Sequence, residues 1–112
     1  MYDVLIIGGG AAGMSCALVL GSAKEKPFAK DKQIAIITHQ KTSHLQTALF
    51  NNVLGLTPGT TGASILESGK QQLADLYPHV EQIEKEKVLK ISKTADTFEV
   101  RTNKNTYQSK IV

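Results

Sequence analysis

The chain has 112 residues, of which 41% are hydrophobic, and its 13 Lys+Arg and 10 Asp+Glu give a formal net charge of +3. This length suits one small domain, and the ordinary hydrophobic content excludes wholesale disorder. Acidic residues are interleaved with the lysines and no apolar run is long enough to span a bilayer, so we expect neither a nucleic-acid partner nor a membrane partner.

The N-terminal segment predicts a strand followed by a helix. The apolar run within Tyr2–Ile7 is typical of a strand that is buried on both faces. A glycine cluster follows it, and a helix is predicted over residues 11–20. Cys16 lies in that helix, where we expect a small buried core residue. Because it is the only cysteine, no disulfide can form within the chain, which indicates a reducing, cytoplasmic setting.

The middle of the chain predicts a second strand and a second helix. The segment QIAIIT, residues 33–38, reads as another buried strand, which completes a βαβ unit with parallel strands and a right-handed crossover. The segment NNVLGLTPGTTG is rich in turn-forming residues. A helix is then predicted over residues 63–76, and Pro78 ends it.

The pattern changes from residue 80 onward. The segments VEQI, KVLKIS, TFEVRT and NTYQSKIV alternate apolar and polar residues, which predicts short antiparallel strands. The predicted fold class is therefore α/β, a Rossmann-like half-domain with parallel strands and a small antiparallel β ribbon.

The glycine cluster contains the pattern Gly8-x-Gly10-x-x-Gly13, placed between a predicted strand and a predicted helix. In a dinucleotide-binding turn, the first glycine permits the tight turn, the second lets the backbone approach a pyrophosphate, and the third allows close helix–strand packing. The first helical turn, which begins with Ala11 and Ala12, would direct free N–H groups at the phosphates. The sequence therefore predicts dinucleotide binding.

The end of the second strand lacks the acidic residue that usually holds the ribose. The strand ends in Thr38 and His39, and His39 either contacts ribose or adenine or is an exposed loop histidine. His39 and His44 lie five residues apart without a third ligand of suitable spacing, so no metal site is predicted.

The N-terminal segment of the chain resembles that of a known family. The segment YDVLIIGGGAAGMSCAL is similar to the opening FAD segment of the pyridine nucleotide–disulfide oxidoreductase superfamily, and most of all to that of thioredoxin reductase-like flavoproteins. Several members of that branch end the second strand in Ile-Thr without a carboxylate, as IIT does here. The resemblance implies a Rossmann-like FAD-binding domain with FAD as cofactor.

A second segment, HLQTALFNNVLGLTPGTTGASIL, resembles the loop on the flavin side of the same family. The resemblance implies that Gln46, Thr47 and Asn52 lie near the isoalloxazine ring. It departs from the family at VLG, where Trp-Pro-Gly is commoner. The segment around Val88 resembles the strand whose backbone contacts the adenine.

The family pattern extends beyond this chain. In relatives, the strand that ends here in SKIV continues into an Ala-Thr-Gly turn, and a Gly-Asp segment and an inserted NADPH-binding domain with a CxxC pair also occur. We therefore expect residues 1–112 to form a single FAD/NAD(P)-binding domain that is incomplete at its C-terminal end. The resemblance implies a flavoprotein oxidoreductase or its N-terminal part, and it allows NAD(P)H as electron donor and a homodimer. No residue stands out as a catalytic acid, base or nucleophile.

Two other functions remain open from the sequence. A short-chain NAD(P)-dependent dehydrogenase would need a Tyr-x-x-x-Lys pair, and the spacing from Tyr107 to Lys110 is one residue too short. A non-catalytic nucleotide-binding module or fragment is the other alternative. A visible spectrum distinguishes them, because bound flavin absorbs near ~450 nm and nicotinamide cofactors do not.

Overall fold

The computed structural model describes residues 1–39 and 44–112. Along the chain the elements are β1 (Tyr2–Ile7), α1 (Ala11–Ser22), β2 (Ile34–Ile37), a 3-10 turn (His44–Thr47), β3 (Leu49–Phe50), β4 (Thr60–Thr61), α2 (Gly62–Leu76), β5 (Val80–Ile83), β6 (Val88–Thr94), β7 (Thr97–Thr102) and β8 (Thr106–Ile111).

Six of these strands form one sheet in the order β5-β2-β1-β8-β7-β6. The pairs β5–β2, β2–β1 and β1–β8 are parallel, whereas β8–β7 and β7–β6 are antiparallel. Tyr2 pairs with Ser109 and Val4 with Ile111, so the last strand returns to the parallel part of the sheet. The α/β prediction, with parallel strands and a small antiparallel ribbon, is confirmed. We call the antiparallel strands β6, β7 and β8 the meander.

The prediction for the segment VEQI was wrong in one respect. Val80–Ile83 forms β5, which pairs in parallel with β2, Val80 standing opposite Ile34 and Ile83 opposite Ile37. The helix α2 connects β2 to β5, and a helical crossover returns the chain in the same direction. β5 is the edge strand of the sheet, and Glu81 on it is exposed. This exposed polar position gives the segment the apolar–polar alternation that is typical of an antiparallel strand.

Apolar side chains pack on both faces of the parallel strands. The helix-side core joins Ile6, Ile34 and Ile36 to Met14 of α1 and Leu73 of α2.

The meander-side core lies on the opposite face. It joins Leu5, Ala35 and Ile37 to Val100 of β7, and Tyr107 of β8 packs against this cluster. The strands β1 and β2 therefore form the middle layer between two helices and a β meander.

The expectation that Cys16 is buried was wrong. The buried residues of α1 are Met14, Ala17 and Gly21, which recur at spacings of three and four, and Cys16 is exposed because it lies off this stripe. The helix continues through Gly21, which packs directly against the ring of Tyr77. Within the described residues, neither helix has the length and apolar character that a bilayer crossing requires.

Candidate functional site

The turn between β1 and α1 depends on glycine at several positions. Gly8 has a φ of +102°, a conformation that favours glycine, and its N–H donates to the Ile37 carbonyl at 2.9 Å. A Cβ on Gly13 would collide with the Gly8 carbonyl oxygen, and a Cβ on Gly9 would come within 2.5 Å of the Thr38 Cγ2. The turn therefore packs backbone against backbone and against the end of β2.

The N-terminus of α1 has no side-chain cap among the described residues. Gly10 occupies the N-cap with a φ of −80°, offers no side-chain oxygen to the first turn, and accepts a hydrogen bond from the Met14 N–H at 3.0 Å. No acidic residue stands in the first turn, so the positive end of the helix dipole has no carboxylate in that turn. Such a helix end favours an anion, and above all a phosphate.

A cleft of about 670 Å³ lies in front of this turn. It opens at the carboxyl ends of the parallel strands, where α/β proteins usually bind their ligands, and its volume is that of an ordinary ligand site. Its lining residues come from the glycine turn, α1, the end of β2, the 3-10 turn, α2 and β5: Gly8, Gly9, Gly10, Met14, Thr38, His39, His44, Gln46, Ala63, Leu66, Glu67, Lys70 and Gln82.

The cleft brings together five of the residues predicted from the sequence, namely Gly8, Gly10, Thr38, His39 and Gln46. Ala11 lines a neighbouring groove between α1 and α2, Ala12 is exposed at the start of α1, and Gly13 packs beneath the turn.

The remaining three predicted residues stand apart from this cleft in the described chain. The Thr47 hydroxyl donates to the His44 carbonyl within the 3-10 turn at 3.3 Å. Asn52 is exposed in the turn that follows β3, and Val88 is half-buried against the meander-side core.

Three polar residues that were not predicted form the far wall of the cleft: Glu67, Lys70 and Gln82. The Gln82 side-chain amide donates to the Lys70 carbonyl at 3.2 Å, which holds β5 and α2 together. Lys70 lies four residues after Leu66 and three before Leu73, so helical spacing could have placed it on the inward face. Gln82 could not be placed from local spacing, because the direction of β5 depends on its pairing with β2.

The charge of Lys70 is partly balanced. Its ammonium lies 2.5 Å from the Glu84 carboxylate, and both side chains remain substantially exposed. The hydrogen bond to Glu84 raises the pKa of Lys70, so the amine stays protonated at neutral pH. The wall opposite the glycine turn therefore presents a fixed cation with a carboxylate beside it.

These residues fit the pyrophosphate of a dinucleotide. Among the described residues nothing lies within 4 Å of a Cβ built on Gly8, which leaves room for close backbone approach at that position. The end of α1, which has no side-chain cap, supplies N–H donors where the phosphates would lie. Over residues 1–39 and 44–112, no group of three His, Cys, Asp or Glu side chains is arranged to hold a metal ion.

Comparison with known proteins shows which proteins the chain is similar to. An uncharacterised oxidoreductase, CzcO, of Bacillus velezensis is 29% identical over 98% of this chain and 34% of its own length. The structure of thioredoxin reductase from Streptococcus pyogenes superposes with a TM-score of 0.76 and 28% identity, over 99% of this chain and 34% of that one. Thioredoxin reductase from Lactococcus lactis shares the fold, with a TM-score of 0.78, 23% identity and the same coverage.

The chain spans about one third of the length of these relatives. The sequence profile for pyridine nucleotide-disulphide oxidoreductases matches residues 2–112, which is nearly the whole chain. The chain therefore belongs to the pyridine nucleotide-disulphide oxidoreductase family, which is a family of flavin-dependent proteins.

Proposed function

We propose that this chain forms an FAD-binding domain of a thioredoxin reductase-like flavoprotein oxidoreductase. The observation that carries the proposal is the cleft in which Gly8, Gly10 and Thr38 meet at the open N-terminus of α1. FAD, when bound, supplies the electron-transfer chemistry, and the protein binds and orients it. The chain spans 34% of the length of these relatives, so the oxidoreductase reaction of the whole protein is also part of this proposal.

In this proposal, different residues bind different parts of the cofactor. The N–H groups at Ala11, Ala12 and Gly13 face the pyrophosphate, because they are the unpaired donors of the first helical turn. Thr38 and His39 stand at the end of β2, where a Rossmann-like domain holds the ribose and adenine.

The flavin lies on the other side of the pyrophosphate in this proposal. Gln46 lines the cleft there, and Thr47 and Asn52 follow it along the loop that resembles the family's flavin-side loop. Val88 belongs to the adenine side, at the start of β6. NAD(P)H as electron donor, a homodimer and a cytoplasmic location accompany the proposal as further expectations.

The test is to titrate FAD into the wild-type chain and into Gly10→Ala while following flavin fluorescence. Gly10 has a φ of −80°, which alanine also adopts, so the variant should fold. Its new Cβ would occupy space at the helix end where phosphate meets backbone. We expect the FAD affinity to fall at least about tenfold, which corresponds to about 1.4 kcal/mol.

Thermal melting of both apoproteins accompanies the titration, because a folding defect would also weaken binding. Equal FAD affinities for the two proteins would exclude a cofactor role for Gly10. A wild-type chain that binds no FAD would contradict the proposed function itself.

A nucleotide-binding module without flavin is the second candidate. The observation in its favour is that the strand β2 ends in Thr38 and His39 without a carboxylate, so no acidic side chain at these two positions would repel the 2′-phosphate of NADP. Purified protein with an absorption band near ~450 nm would favour the flavoprotein, since nicotinamide nucleotides do not absorb there. Binding of NADP by a chain that binds no FAD would favour the alternative.

A further inference from the structure

The loop between β5 and β6, residues 84–87, holds a buried carboxylate. Glu86 is only 6% exposed, although its neighbours Lys85 and Lys87 are both exposed. Its carboxylate accepts hydrogen bonds from the Thr102 hydroxyl at 2.7 Å, the Asn105 amide at 2.9 Å and the Tyr107 hydroxyl at 2.9 Å. All three donors belong to β7, β8 or the hairpin between them.

The backbone of the same loop is tied on both sides. The Glu86 N–H donates to the Thr38 carbonyl at 3.3 Å, and the Thr38 N–H donates to the Ile83 carbonyl at 2.8 Å. The Lys87 N–H donates to the Asn103 side chain at 2.9 Å, and the Asn103 N–H returns a bond to the Lys87 carbonyl at 3.0 Å. The loop therefore bridges the end of β2 and the β7–β8 hairpin.

One residue of this loop has an unfavourable backbone conformation. Lys85 has a φ of +61°, a backbone angle that residues other than glycine rarely adopt. Such a conformation persists only when its surroundings hold it, and it is found preferentially at functional sites. Here the neighbouring Glu86 is anchored by its three donors directly after Lys85.

The loop borders the cleft on the side of β2. Glu84 pairs with Lys70, and Lys70 and Thr38 both line the cleft. In a Rossmann-like domain the pyrophosphate lies at the end of the first strand, and the adenosine lies over the end of the second. The end of β2 is where Thr38 contacts this loop, so the loop lies beside the adenosine half.

We propose that Glu86 is a positioning residue for the adenosine end of the bound dinucleotide, because its buried carboxylate fixes the loop 84–87 against Thr38. This inference rests on the FAD-binding function proposed above. Glu86 does not need to touch the ligand. It acts through the backbone that it holds in place.

The test compares wild type with Glu86→Gln, using FAD and ADP as probes in separate titrations. Glutamine keeps the size of the side chain but offers one acceptor oxygen where three donors converge. We expect both affinities to fall by the same factor, about tenfold, because the two probes share the adenosine diphosphate half. The exposed Glu99→Gln on β7 is the matched control and should leave both affinities unchanged.

Amide hydrogen exchange separates positioning from a general loss of stability. The N–H groups of Glu86 and Lys87 should exchange at least about tenfold faster in Glu86→Gln, while that of Ile36 in the buried β2 should accelerate by a smaller factor, which reports the loss of global stability. Equal acceleration at Ile36 would reduce Glu86 to a structural residue and overturn the inference.

The binding results separate this inference from the proposed function. If wild type binds FAD and ADP and Glu86→Gln binds them equally well, the inference fails and the proposed function stands. A loss for FAD without a loss for ADP also overturns it, since the defect would then lie on the flavin side. If wild type binds neither probe, the proposed function fails and the inference falls with it.

A second variant keeps the test decisive if Glu86→Gln does not fold. Tyr107→Phe removes one donor to the carboxylate and leaves the aromatic ring in place beside Tyr2. We expect the affinities for FAD and for ADP each to fall by about threefold, which is a smaller loss than in Glu86→Gln. Unchanged affinities in a folded Tyr107→Phe would count against the inference.

Discussion

Gly13 and Gly69 are both glycines inside helices, but their surroundings differ. A Cβ on Gly13 would overlap the carbonyl oxygen of Gly8, which is backbone and cannot turn aside. A Cβ on Gly69 would lie 3.8 Å from the Met14 side chain, an ordinary van der Waals distance. The first glycine is required by the βα turn, and no contact with the described residues requires the second.

We expect Gly13→Ala to destabilise the protein by about 2–3 kcal/mol, because the turn must open to admit the methyl group. The FAD affinity should fall with it, since the opened turn moves Gly8 and Gly10. Urea unfolding of the apoprotein measures the first effect, and a flavin titration measures the second.

Gly69→Ala is the matched control for this substitution. Alanine has the higher helix propensity, so the free energy of unfolding should rise by up to about 1 kcal/mol, and FAD binding should not change. A Gly13→Ala protein as stable as wild type would mean that the turn is not packed against Gly8 as described.

At the scale of elements, the β5–β6 loop and the β7–β8 hairpin are joined through a charged group. Burial disfavours ionisation of Glu86, but hydrogen bonds from Thr102, Asn105 and Tyr107 together outweigh burial and lower its pKa below the ordinary value of 4.5. A carboxyl whose pKa is lower in the folded state stabilises the fold above its unfolded pKa, and this contribution is lost as the pH falls.

We therefore expect wild type to lose stability on acidification more steeply than Glu86→Gln, starting at about pH 4.5 and continuing below it. Glutamine does not titrate, so the difference in the free energy of unfolding between Glu86→Gln and wild type should shrink as Glu86 of the wild type becomes protonated. Urea unfolding at a series of pH values measures this. Parallel curves for the two proteins would show that the carboxylate is not held in its charged form.

The local pattern predicts those elements whose structure depends on neighbours in sequence. The strand β1, the glycine turn, α1 and α2 are of this kind, because apolar runs, glycine spacing and Pro78 act within a few residues.

Glu86 could not be predicted in this way. In the segment EKEKV, Glu86 resembles a solvent-exposed charged residue, and its hydrogen-bond donors lie 16 to 21 residues further along the chain. The direction of β5 has the same cause, since strand pairing with β2 joins residues more than forty positions apart. The candidate site is therefore predictable at its glycine turn and less so at the wall formed by Lys70 and Gln82.

At the scale of the whole molecule, both cores depend on the same two strands. Ile34 and Ile36 of β2 face the helix-side core, while Ala35 and Ile37 face the meander-side core. Loss of either covering layer would expose one face of β1 and β2 to water. We therefore expect the helices and the meander to unfold together rather than as separate units.

Two substitutions test this cooperativity from opposite faces. Leu73 in the helix-side core and Val100 in the meander-side core are both 0% exposed, so Leu73→Ala and Val100→Ala each leave a cavity. We expect each variant to lower the free energy of unfolding by about 2–4 kcal/mol. Leu76→Ala, at an exposed position of α2, is the control and should change it by less than about 0.5 kcal/mol.

The decisive measurement follows each core variant with two probes. Far-ultraviolet circular dichroism reports mainly on the helices. With Tyr77 of the helix side replaced by phenylalanine in every protein compared, the near-ultraviolet tyrosine signal reports on Tyr2 and Tyr107, whose rings lie 6.2 Å apart on the meander side. If β1 and β2 couple the layers, Leu73→Ala moves both transitions to the same lower urea concentration, and Val100→Ala does the same. A Leu73→Ala protein whose far-ultraviolet transition moves while its tyrosine transition stays in place would show two units, and the shared middle layer would then not make the fold cooperative.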